Sequence, residues 1–193
     1  MGNEEASAEG TWTEQLRDGT PVLIRPIRVD DIEMERLFIE AMSPASRRFR
    51  FLSSMCSPGA ALLKQMTDID HATDAAYVAV RVGREAEQEI GVARFSAAVD
   101  AKDGEFAVAV ADDWQRKGLG TVLMRRLVKT ALLRGLDRLH SGGAADNEPM
   151  RRLAERAGLR HERDSEDATQ IRYSMDLRPS KPGPRPGPDP HRP

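Results

Sequence analysis

The sequence predicts a mixed α/β domain with strands arranged as hairpins first and one strand–turn–helix unit in the middle. Two observations lead there. Three strand-like runs, Ala75–Gly83, Glu89–Ala97 and Gly104–Ala111, follow one another across short polar links. The third then passes through the glycine-bearing turn "DDWQRKGLG" into a long amphipathic segment. Consecutive strands with turn signals argue for hairpins, and the switch from a period of two to a helical period marks the β–turn–α unit.

The elements follow in chain order. Pro21–Ile27 reads as a first strand. Residues 30–42 read as a helix, with Asp30 as N-cap and Glu33 at the capping-box spacing. Ser43-Pro44 and Ser57-Pro58 each look like an N-cap followed by proline in the first turn, so short helices are expected over 44–50 and 58–67. "REAEQ" joins the next two strands as a hairpin. The central helix is expected over 118–134, ended by Gly135 in the left-handed conformation. Its Arg125, Arg126, Lys129, Thr130 and Arg134 gather on one side, while Leu119, Val122, Leu123, Leu127, Ala131 and Leu132 fill the rest. "DRLHS" reads as a short strand, Asn147–Gly158 as a helix and Thr169–Leu177 as a closing strand.

Composition narrows the function classes. A chain of 193 residues is expected to form one domain, here over 13–177, with a loose leader over 1–12. From Arg178 onward proline alternates with glycine and charge, so 178–193 is expected to be a disordered tail, with PxxP spacing at Pro179–Pro182. The charges nearly cancel, 29 basic against 31 acidic, which points to neither a nucleic-acid nor a membrane partner. Cys56 is the only cysteine and the four histidines are scattered, so no internal disulfide and no metal site is expected. The acidic start is no signal peptide, Ala6 stands where a myristoylation signal needs Ser or Thr, and no run approaches a membrane span. A cytoplasmic location is expected.

The turn carries the chemistry. A strand that passes through glycines into a helix leaves the first helical amides unpaired, at the positive end of the helix dipole. Glycine lets a phosphate approach the backbone closely, and Arg116 and Lys117 add formal charge at the same mouth. The stretch is a candidate pyrophosphate cradle. It is neither a Walker loop nor a GxGxxG dinucleotide turn. Gln115, Gly118 and Gly120 instead spell Q/R-x-x-G-x-G/A, which resembles the acetyl-CoA signature of the GNAT superfamily of N-acetyltransferases. Downstream, Asn147, Met150, Leu153, Ala154 and Gly158 are similar to the superfamily's later helix motif. "VLIRPIRVDD", "MSPASRRFRF", "TDIDH", "IGVARF" and "EFAVAVADDWQRKGLG" narrow the likeness to Pat-type bacterial protein lysine acetyltransferases, over about residues 20–177.

The resemblance implies a mostly antiparallel central sheet that splays beside an acetyl-CoA site, and transfer of an acetyl group to an amine. The acceptor it implies is a protein lysine; a small-molecule amine or a non-catalytic acyl-CoA-binding module are the alternatives. It places cofactor contacts at Val108, Ala109, Val110, Gln115, Arg116, Lys117, Gly118, Leu119, Gly120, Thr121 and Asn147, with the Val110 amide as oxyanion donor. It makes Glu105 the general base, on the strand face shared with Ala107 and Ala109. Ala154 stands where many members carry a tyrosine acid, so no general acid is assigned. Arg47, Arg48 and Arg50 are expected to be solvated while Phe49 and Phe51 are buried, Trp114 to pack beneath the loop, and Asp70 and His71 to sit in a helix-to-strand loop. The chain has no room for the synthetase-like or cyclic-nucleotide-binding domains that such proteins often carry, and no cyclic-nucleotide control is expected.

Overall fold

A computed structural model describes residues 10–52, 57–82 and 86–178, with the side chain of Val82 excepted. The leader up to residue 9, Cys56 and the tail beyond Arg178 lie outside the described residues. Among the described residues eight strands form one sheet: β1 (Trp12–Gln15), β2 (Pro21–Pro26), β3 (Ala75–Val82), β4 (Glu87–Ser96), β5 (Asp103–Val110), β6 (Arg138–Ala144), β7 (Arg160–Arg163) and β8 (Gln170–Asp176). Five α-helices among the same residues accompany them: α1 (Ile32–Ala41), α2 (Pro44–Phe51), α3 (Ala60–Thr67), α4 (Leu119–Leu133) and α5 (Glu148–Ala157). The strand order is β1-β2-β3-β4-β5-β6-β8-β7, antiparallel everywhere except between β5 and β6.

The two faces of the sheet are covered differently. On one, α4 packs across β3, β4 and β5, and α5 packs on α4. Leu119, Leu123 and Leu127 of α4 meet Ala93 and Phe95 of β4 and Phe106 of β5 there. On the other, α1 and α3 bring Phe38, Ile39, Leu63 and Met66 onto Val78, Val80 and Val92, and α2 packs against β5. Alternation along the strands sorts the side chains between these layers.

A bulge interrupts that alternation once. Ala79 pairs with Gly91 but Val80 with Glu89, so Ile90 is the extra residue. Ile90 joins the α4-side core, and Glu89 turns to the α1 side beside Val80.

Several boundaries differ from the sequence reading. A 3-10 turn over Val29–Asp31 precedes α1, and Asp31, not Asp30, stands at its N-cap. Asp31 is held there by a bidentate ion pair from Arg25 and accepts the Arg28 amide proton. Helix α3 begins after Gly59, and Ser57 instead donates to Glu40. Ser43 does cap α2, accepting from the Ser46 amide. β1 and β7 are short edge strands whose burial alternates weakly or not at all, which leaves little periodicity to read. On α4, Arg126, grouped by sequence with the polar side, is buried: it pairs with Glu14 at 2.6 Å and lies over the Trp12 ring, while Leu132, grouped with the apolar rest, turns out to solvent. Gly135 is left-handed past the helix end, as expected.

Candidate active site

The cleft follows from one broken ladder. β5 and β6 pair only from Asp103–Glu105 to Arg138–His140. Beyond that point β5 stays bonded to β4 as far as Val110, and β6 stays bonded to β8 as far as Ala144. Each strand keeps one ladder and frees its other edge. The gap opens into a cleft of about 470 Å³, within the size range of small-molecule sites.

The splay exposes backbone donors. The Ala111 amide donates to the Ile90 carbonyl of β4. Strand alternation then turns the amides of Val110 and Val108 to the opposite edge, toward the gap. Phe106, Ala107, Val108, Ala109 and Val110 all line the cleft. β4 and β5 keep an unbroken register, so Glu105, Ala107 and Ala109 share one face and Phe106, Val108 and Val110 the α4 face.

At the mouth, Asp112–Trp114 form a 3-10 turn and Gly118 caps α4 with φ +95°. That angle suits glycine, and a Cβ there would also press on the Arg17 side chain at 3.3 Å. Gln115, Arg116, Gly118, Gly120 and Thr121 line the cleft. The Gln115 side-chain carboxamide donates to the Val110 carbonyl at 3.3 Å and so ties the turn back to the strand. Trp114 lines the cleft with Lys117 over its ring, and is packed against the core.

The opposite wall comes from β6 and α5. Ser141, Gly142 and Gly143 line it, followed by Asn147 and the α5 residues Glu148, Met150, Leu153 and Arg156. The Asn147 carboxamide oxygen accepts the Met150 amide proton at 3.0 Å and caps α5. Its amide nitrogen is thereby left for the cleft. Arg152 bonds Glu148 and holds its carboxyl below the ordinary value.

Helix α2 runs along the cleft from the mouth turn toward the far end, and Met42, Ser46, Phe49 and Arg50 line that side. Asp112 fastens the helix, accepting from the Ser43 amide at 2.9 Å and from both serine hydroxyls. Burial pushes the Asp112 carboxyl up, but these hydrogen bonds outweigh it and leave it below the ordinary value. Arg48 reaches Asp146 at 2.6 Å, so α2 spans from one wall of the splay to the other.

Of the sequence-predicted residues, the structure gathers Val108, Ala109, Val110, Gln115, Arg116, Gly118, Gly120, Thr121 and Asn147 around the cleft. It does not place Glu105, Lys117 or Leu119 among the lining residues. Glu105 is exposed at the last paired position before the splay. Lys117 faces Asp18 at 3.6 Å, and Leu119 is buried under the turn. His71 is exposed in a turn and does not line the cleft. The arginines of α2 divide: Arg48 is exposed as expected, but Arg50 is half-buried, and neither Phe49 nor Phe51 is fully buried.

The α2 and β6 contributions were missed in the sequence. "SGG" just beyond the expected strand "DRLHS" was the available signal for a strand wall stripped of side chains. Among the described residues no group of three or more His, Cys, Asp or Glu is placed to hold a metal, and no helix is long and apolar enough to cross a membrane.

A parallel pair splayed apart beside a glycine-capped helix is the arrangement of an acyltransferase that takes its acyl group from acyl-CoA. The GNAT acetyltransferase domain model matches residues 22–160, and the chain belongs to that family of acetyltransferases, whose cofactor is acetyl-CoA. A Pseudomonas aeruginosa acetyltransferase is 42% identical over 174 residues, which cover 89% of this chain and 93% of that one. The acetyltransferase Pat of Mycolicibacterium smegmatis is 30% identical over 145 residues, 75% of this chain but only 43% of that longer protein. Among solved structures, the GNAT domain of S. lividans PAT superposes with a TM-score of 0.80 at 26% identity, covering 89% of this chain and 99% of that one.

Proposed function

We propose that this chain transfers the acetyl group of acetyl-CoA to a lysine side chain of a protein. The observation that carries the reading is the splay of β5 from β6, with unpaired strand amides at its edge and a glycine-capped helix at its mouth. The residues fit the cofactor. Main-chain amides at the start of α4 and the Arg116 side chain supply the donors and charge a diphosphate needs. The free edge of β5 from Val108 to Val110 offers ladder bonds to an extended, amide-containing arm. Acetyl-CoA supplies an activated thioester carbonyl.

In this reading the Val110 amide donates to the oxygen of that carbonyl as negative charge develops on it. The acceptor amine must lose a proton before it attacks. Glu105 is the base. It does not line the cleft, so the proton travels to it through solvent. Ala107 and Ala109, on the same strand face, are small enough to leave space for an unbranched side chain. Ala154 offers no acid to the departing thiolate, which solvent protonates. The likeness to Pat supports a protein acceptor, as does the position of α2 across an open groove. One catalytic domain over 13–177, to which Trp12 of β1 also belongs, completes the reading.

The test is incubation with radiolabelled acetyl-CoA and two acceptor sets, lysine-bearing peptides and small polyamines. Labelled peptide is expected. Label confined to polyamines would replace the acceptor, and no label on either would leave a binding module. Glu105→Gln should lower kcat by about 10²–10⁴-fold while the dissociation constant for acetyl-CoA stays put. An unchanged rate across pH removes Glu105 from the mechanism.

A further inference from the structure

Behind the cleft wall formed by β5 and α2 lies a group of charged side chains, two of them buried carboxyls, that the reaction above does not use. Glu35 of α1 is fully buried and Glu89 of β4 nearly so. Arg94 of β4 completes the group, with an Arg94–Glu35 distance of 3.7 Å, and the half-buried Arg50 of α2 lies close enough for its charge to act on both carboxyl groups. Glu35 lies on the same helical stripe as Phe38, Ile39 and Met42, which is why it points inward. The bulge at Ile90 turns Glu89 onto the same face of the sheet. Arg94 pairs in register with Ala107, a residue of the cleft wall, and Arg50 lines the cleft itself.

The hydrogen-bond count is unusual. Both oxygens of Glu35 and both of Glu89 are buried without a donor, as are Nε and one terminal nitrogen of Arg94 without an acceptor. Yet the two carboxyl groups sit within hydrogen-bonding reach of each other. Two adjacent carboxylates in a dry site cannot both ionise cheaply, and a single proton turns one of them into a donor for the other.

We propose that Glu35 and Glu89 hold one proton between them and act through Arg50 as positioning residues for the acceptor end of the cleft. With that proton, the pair carries one negative charge against two guanidinium groups. Without it, the charges balance and Arg50 is drawn back from the cleft wall. The affinity for the acceptor therefore follows the pair's titration, and the affinity for the cofactor does not. The electrostatic surroundings agree. Burial first, then repulsion from Glu35, raises Glu89 well above the ordinary carboxyl range, and burial raises Glu35 as well. Burial and Arg94 bring Arg50 down to about 10. The other charged group felt by the pair, Asp31, is occupied by Arg25. From α3, only the Met66 carbonyl reaches the group, accepting from Arg94. The acceptor half of the proposal rests on the transferase reading, and the shared proton does not.

Two measurements need no acceptor. Isotope-edited infrared spectroscopy should show a protonated-carboxyl stretch near neutral pH that Glu89→Gln abolishes. The Arg50 Nε resonance, assigned by its loss in Arg50→Lys, should move with pH in the wild type and stay still in Glu89→Gln. A missing stretch or an unmoving wild-type resonance overturns the shared proton. With a lysine peptide as acceptor, Glu89→Gln preserves the pair's charge and its donor, so its KM should match the wild type near neutrality and diverge as pH rises. The double change Glu35→Gln with Glu89→Gln strands both arginines and should raise acceptor KM about tenfold, the equivalent of one pKa unit of interaction. Calorimetric affinity for acetyl-CoA should be the same in all three proteins. If Glu89→Gln is as damaging as the double change, or cofactor affinity falls in step with acceptor affinity, the pair is merely structural. Should the double variant not fold, the infrared band, the resonance and the single-variant pH profile decide. Failure of the peptide to be acetylated by the wild type would refute the acceptor assignment and leave the first two measurements to judge the proton.

Discussion

The two ends of the cleft are built on different principles. The mouth is made of main chain: strand amides freed by the splay, a left-handed Gly118 and the first turn of α4. The far end is made of side chains brought from distant parts of the chain, with Arg50 of α2 near the buried Glu35–Glu89 group, while Ser43 and Ser46 pin α2 to Asp112 at the mouth. A surface of backbone donors serves any ligand that carries the same diphosphate and amide arm. A surface of long-range side-chain contacts can change without disturbing the fold, which suits it to acceptor choice in the proposed reaction.

Three substitutions test that division. The largest effect is expected at the mouth. Gly118→Asp places a β-carbon in a left-handed position, crowds Arg17 and sets a carboxylate against the diphosphate. Affinity for acetyl-CoA should fall by about two orders of magnitude, ~2.7 kcal/mol, in a calorimetric titration. Unaltered affinity would move the cradle elsewhere. Asp112→Asn comes next and touches the seam between the ends. Replacing a charged acceptor by a neutral one costs about 1 kcal/mol of hydrogen bonding, so acceptor KM should rise about fivefold with little change in cofactor affinity.

The same variant has a pH signature. The folded Asp112 carboxyl ionises more readily than an ordinary one. Its stabilising contribution is complete above the unfolded value, about 3.9, and is lost as pH falls through the lower folded value. Melting temperatures measured below about pH 4 should therefore decline less steeply for Asp112→Asn than for the wild type. The smallest effect belongs to Arg48→Ala. Its partner Asp146 is two-thirds exposed, and exposed ion pairs contribute little. The melting temperature should not change measurably, whereas a clear drop would mean that α2 depends on this contact across the cleft.

The difference between the ends also explains what could be read in advance. The mouth was legible because its chemistry is local: Gln115, Gly118 and Gly120 stand within six residues, and a strand period gives way to a helical one around them. The helix boundaries of α4 and α5 fell close to expectation for the same reason. β1 and β7 were not legible. They are four-residue edge strands stabilised by pairing with β2 and β8, and their own sequences carry no clear alternation. Arg126 misled for a related reason. A cation on a helix reads as part of its polar side until the tertiary fold lays Glu14 and Trp12 over it.

What the amino-acid order determined by itself was the set of elements with strong periodicity and the glycine-bearing turn between β5 and α4, because both arise from neighbours along the chain. It also determined that Glu105, Ala107 and Ala109 share a strand face, which needs only an unbroken pleat. The tertiary structure alone decided where β5 parts from β6, that a bulge at Ile90 turns Glu89 inward, and that α2 bridges the gap. Those outcomes depend on which strand edge finds a partner and which buried charges meet. Such contacts join residues tens of positions apart, and no local pattern records them.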